Sequence, residues 1–148
     1  MYTPPTFLTP EVLTEVLAEF PWPAPFTLVD DRPDGIEVHF PRCILYVTEG
    51  FESDMDLKFM PESTGLESSV SVGDALRELR EDPNRTLPPR PKLIDYFSPQ
   101  ASLDKVKNEL RDLCTLIFTY FRPSLDGDFE WVAGYEAVLR SRQSTLRS

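Results

Sequence analysis

Histidine occurs once in this 148-residue chain, at His39, and cysteine only twice. That scarcity nearly closes off a zinc site of familiar spacing, which needs four such ligands. It also leaves every serine–histidine or cysteine–histidine triad dependent on one residue with no local signature around it. With six glycines and no glycine-rich loop, there is no phosphate-binding turn of the nucleotide-binding kind. No apolar run approaches the roughly 18 residues a membrane span needs. The start, MYTPPTFLTPE, lacks both a basic region and an apolar stretch, so no secretory signal is expected. There are no internal repeats. For want of a nucleophile–base pair, the expectation is a protein that is not an enzyme and uses no cofactor or metal.

Basic residues are scarce in one half only. Residues 1–67 hold thirteen acidic residues against Arg32, Arg42 and Lys58, while residues 68–148 hold twelve of each sign. The net charge of −10 therefore belongs to the N-terminal half. This acidity argues against nucleic acid as a direct partner and for a basic protein surface. Hydrophobic content of 41% beside 27% charged residues is that of an ordinary globular protein, long enough to bury a core. Fifteen prolines imply stiff connections. Cys43 and Cys114 lie inside apolar runs and are expected as free buried thiols in a reducing, cytoplasmic setting.

Hydrophobic spacing predicts an α+β domain over 1–148. A first helix starts with Thr9 as cap, Pro10 at the first position and Glu11 at the positive end of the dipole. It carries Val12, Leu13, Val16, Leu17 and Phe20 on one face and stops at Pro21. Four strands follow, at about 26–31, 36–40, 43–49 and 55–60, joined by short links as an antiparallel meander. Ser71 caps a helix that ends by Pro83. Ser98 and Pro99 are expected to open the longest helix, at about 99–122, with Ile117 and Phe118 fully buried. A last helix carries Trp131 and Tyr135, and the polar tail at 141–148 is expected to fray. The expected architecture is thus a four-stranded antiparallel sheet packed by an N-terminal helix and three C-terminal helices.

Two short stretches invite a sharper reading. LVDDRPDGIEVHF places Asp30, Asp31 and Asp34 just before His39. Aspartate belongs in turns because its side chain bonds nearby backbone amides, and the DxDxDG spacing of a calcium loop is missing. A turn with an acidic docking surface is expected there, and no metal. RTLPPRPK (85–92) matches the R-x-L-P-P-x-P pattern of SH3 ligands, but it also serves as a plain extended connector.

The segment 113–135, with YFRPSLDGDFEWVAGY, resembles the C-terminal helical hairpin of small acidic bacterial proteins of polymorphic-toxin immunity. The resemblance covers the last third of the chain and implies a cytoplasmic inhibitor that binds a toxin domain. It supplies no site residues. From charge, the expected partner-binding residues are Asp30, Asp31, Asp34, Glu37, Glu49, Glu52, Asp54 and Asp56, facing a basic toxin domain such as a nuclease. The alternative is an acidic secretion chaperone or adaptor that binds an effector segment.

Overall fold

The computed structural model describes residues 7–50, 53–91 and 102–147. The element order is α1 (Pro10–Leu17), β1 (Thr27–Arg32), β2 (Gly35–Phe40), β3 (Cys43–Glu49), β4 (Met55–Phe59), α2 (Pro61–Thr64), β5 (Val70–Ser71), α3 (Val72–Arg80), α4 (Leu103–Tyr120), a 3-10 turn (Arg122–Asp126) and α5 (Trp131–Arg147). The fold is α+β, with one antiparallel sheet in the order β1-β2-β3-β4-β5.

The meander follows from alternation. In β2, Ile36, Val38 and Phe40 are buried while Glu37 and His39 are half-buried on the other side. The register pairs Val38 with Leu45 and Ile36 with Val47, then Leu45 with Phe59 and Val47 with Leu57. One face of the sheet therefore carries a continuous apolar surface. Helix α4 closes over it with Val106, Leu110, Cys114, Ile117 and Phe121, all buried and spaced three or four residues apart. Leu13, Val16 and Leu17 of α1 and Val72, Ala75, Leu76 and Leu79 of α3 complete the same cluster.

Several expectations are corrected. The sheet has five strands, not four: Val70 and Ser71 pair with Phe59 and Lys58. Two residues are too few to show alternation in a sequence. The expected start at Ser98 and Pro99 lies outside the described residues, and α4 itself begins at Leu103, after an extended Ser102 whose side chain accepts the Lys105 amide. Helix α5 runs to Arg147, and Arg142 pairs with Glu78 of α3 and with Glu81, the residue that caps it. Ile117 is fully buried, but Phe118 is only half-buried. Phe118 turns to the flank and stacks on Phe20, with centroids 5.7 Å apart. Leu103, the first residue of α4, is exposed. The caps agree with expectation: Thr9 accepts the Val12 amide, and Ser71 accepts the Asp74 amide.

Both cysteines are free and buried, 43 on β3 and 114 on α4. Burial pushes each thiol up to about 12. No helix among the described residues is long and apolar enough to cross a membrane.

Candidate protein-binding site

In a meander, alternate turns lie at the same end of the sheet. The β1–β2 turn at Pro33 and Asp34 therefore shares an end with the β3–β4 connection at 50–54, while the turn at Pro41 and Arg42 lies at the other. Register makes the point residue by residue. Gly35 faces Thr48, and Thr48 faces Asp56, which puts Asp56 two strands from the hairpin turn. At about 4.8 Å per strand, that is roughly 10 Å. The topology thus brings Asp30, Asp31, Asp34, Asp54 and Asp56 to one end.

The hairpin is built to approach its neighbour closely. A Cβ on Gly35 would lie 2.3 Å from the Val47 carbonyl oxygen, so only glycine fits. A register shift between Val29 and Arg32 places Asp30 and Asp31 in a bulge. Bulges bend a strand and re-aim its side chains, and here both carboxylates are exposed. Beside the turn lies a hollow of about 130 Å³, between Leu8 and the hairpin, walled by Asp30, Asp34, Ile36 and Glu49.

The acidic residues do not share one environment. Asp30, Asp31 and Asp34 are exposed, and among the described residues none has a salt-bridge partner. Asp34 accepts a short hydrogen bond from the Tyr46 hydroxyl. Burial, with that bond second, pushes the Tyr46 phenol up to about 12. Glu37 is committed to a network on the outer sheet face, accepting from Arg32 Nε at 2.7 Å and lying 2.8 Å from His39 Nε2. The Arg32 hydrogen bond holds its carboxyl below the usual range. Arg32 also sits over the Tyr46 ring, 5.3 Å from its centroid.

Glu49 and Asp54 are both partnered, Glu49 half-buried and Asp54 exposed. The Glu49 carboxylate accepts the backbone amides of Phe7 and Leu8, each at 2.8 Å, and the Ser53 hydroxyl at 2.7 Å. It clasps the segment before α1 to the β3–β4 connection. Asp54 precedes β4 rather than lying on it, and receives Lys105 Nζ at 2.7 Å. Asp56 is half-buried, and burial raises its carboxyl pKa, offset in part by Lys58 and the Leu57 amide. Glu52 lies outside the described residues.

Folding also redistributes the charge that the sequence divides in half. Lys105, Lys107 and Arg111 of α4 pair with Asp54, Glu15 and Glu19 respectively. Glu15, Glu19 and Asp54 are thereby matched, while Asp30, Asp31 and Asp34 of the β1–β2 hairpin have no salt-bridge partner among the described residues. Arg32, Tyr46 and Lys105 were not among the expected site residues. Tyr46 alternates onto the outer face of a strand whose apolar run hid it, and Lys105 meets a partner 51 residues away.

His39 sits near the far end of β2 from Gly35, about 13 Å along a strand at 3.3 Å per residue. It pairs with Glu37 rather than with the aspartates. Among the described residues no group of three or more His, Cys, Asp or Glu is placed to hold a metal ion. The RTLPPRP connector is partly used inside the molecule: Arg85 pairs with Glu130, and Leu87 packs against the core. No protein-family model, curated protein or solved structure matches the chain.

Proposed function

We propose that this chain is a non-catalytic binding protein, an immunity protein or inhibitor that neutralises a basic toxin domain through the acidic end of its sheet. The observation that carries this reading is selective neutralisation. Helix α4 matches Glu15, Glu19 and Asp54, whereas Asp30, Asp31 and Asp34 stay exposed on one hairpin. Like charges held close are destabilising unless something offsets them, and a basic partner would do so. Such a patch speeds encounter and selects against wrong partners. A nuclease domain suits the chemistry, since a surface that holds phosphates also attracts carboxylates.

The test is co-expression with the open reading frame that adjoins this gene. Growth arrest by that protein alone, rescue by wild type and loss of rescue by a folded Asp30→Asn/Asp31→Asn/Asp34→Asn variant are expected. Equal rescue by the variant would overturn the role of the hairpin. A second reading, an acidic chaperone or adaptor for an effector segment, draws on a different feature. An open depression of about 690 Å³ is lined by residues from Leu17 to Phe26, including Phe20 and Trp22. Binding abolished by Trp22→Ala, and unchanged in the triple amide variant, would favour it.

A further inference from the structure

The two edges of the sheet differ. At one, β5 covers the end of β4, and side chains occupy donors on the rest of that strand. The Met55 amide bonds to Glu109, and the Leu57 amide bonds to Asp56 Oδ1 at 2.9 Å. At the other, no strand among the described residues pairs with the outer side of β1. An edge strand directs alternate N–H and C=O groups outward, where they are free to pair with another chain. Strand β1 runs from Thr27 to Arg32, with the bulge at Asp30 and Asp31 interrupting its register with β2.

We infer that β1 is the docking edge, and that the partner supplies an extended basic segment which adds beside Thr27–Arg32 as a further strand. This rests on the proposed acidic docking function and gives it a geometry. Charge decides between the possible occupants. A second copy would bring Asp30 and Asp31 of each chain to within about 5 Å of a strand with the same charges, between molecules of net charge −10. The one basic residue of the strand, Arg32, is already bonded to Glu37. A basic segment instead brings opposite charge to the exposed Asp30 and Asp31. The hollow of about 130 Å³ at the end of the strand is walled by Asp30, Asp34 and Glu49 and also by Arg32, so its acidic side faces the proposed segment beside a cation already bonded to Glu37. Backbone pairing would supply affinity and the carboxylates register, the division of labour seen wherever a peptide extends a sheet.

The experiment titrates the full-length, isotope-labelled chain with an end-blocked peptide of alternating lysine and valine, about six residues long. Three controls accompany it: a glutamate–valine peptide of equal length, the lysine peptide N-methylated on alternate residues, and the Asp30→Asn/Asp31→Asn variant. The lysine peptide is expected to slow amide exchange of alternate β1 residues at least about tenfold. N-methylation should abolish that protection, the double variant should weaken it, and the glutamate peptide should give none. Binding of both lysine peptides at the hairpin, with no protection of β1, would overturn strand addition and leave the acidic docking reading standing. No binding of either lysine peptide would overturn both. Equal protection by the glutamate peptide would overturn the charge selection.

Discussion

Truncating Phe121 to alanine removes a fully buried ring packed between Phe59 and Trp131. Phe121 is 1% exposed, and its centroid lies 5.4 Å from Phe59 and 5.3 Å from Trp131. Losing about 150 Å² of buried apolar area at roughly 25 cal/mol per Å² costs about 4 kcal/mol, within the usual range for a buried phenylalanine. Phe118, three residues earlier, lies on the flank of α4 among Phe20, Trp22 and Arg122, and is half-buried. Its truncation removes about half that area and should cost roughly 2 kcal/mol. Urea denaturation reads both. With a slope of about 2 kcal/mol per molar, the midpoint should fall by roughly 2 M for Phe121→Ala and about 1 M for Phe118→Ala. A double-mutant cycle between Phe121 and Trp131 should add a coupling of about 0.5–1.5 kcal/mol. Equal losses at the two positions would refute the placement of α4 on the sheet.

Other outcomes follow from single contacts. Gly35→Ala should cost about 1–3 kcal/mol or more, because the new methyl meets a backbone oxygen that cannot swing aside; a melting temperature unchanged from wild type would contradict the hairpin geometry. Burial raises the Glu109 carboxyl above its usual range, with the Met55 amide and Lys105 pulling back, so the folded state binds that proton more tightly than the unfolded chain. Its contribution to stability therefore falls as pH rises through the carboxylate range, and Glu109→Gln should gain on wild type more at pH ~7 than at pH ~4. A gain that shrank with rising pH would reverse the assignment. Cys43 and Cys114 should resist alkylation in the native state and react on unfolding, since both are buried with thiols pushed up to about 12.

The four long strands, the N-terminal helix and the caps at Thr9 and Ser71 were legible because each rests on local spacing. The start of α4 was not. Ser98 and Ser102 stand four residues apart, and a serine followed by proline is as good a signal as a serine followed by leucine. Helical spacing marked Phe118 and Phe121 alike; only the position of α1 beside α4 separates flank from core. Strand β5 has no pattern to detect. Of the expected site, Asp30, Asp31 and Asp34 stay together because they share one turn. Glu49 and Asp54 carried the same charge in the sequence, but their partners lie about 40 to 50 residues away, at Phe7, Leu8 and Lys105. Long-range pairing of that kind leaves no periodic trace.

The account turns on whether the hairpin carboxylates attract a basic partner. The direct measurement is the association rate of the proposed basic toxin partner with this protein across ionic strength, for wild type and for Asp30→Asn/Asp31→Asn/Asp34→Asn. Asp30 and Asp31 are exposed and, among the described residues, without salt bridges, so each amide change there should move stability by about half a kcal/mol or less. Asp34→Asn also weakens the bond from Tyr46 and should cost about 1 kcal/mol. Wild type should bind fast at low salt and slow steeply as the screening length falls to about 8 Å near physiological ionic strength. The variant should bind more slowly with a flatter salt dependence. Equal rates and equal slopes for the two proteins would contradict the acidic-hairpin account.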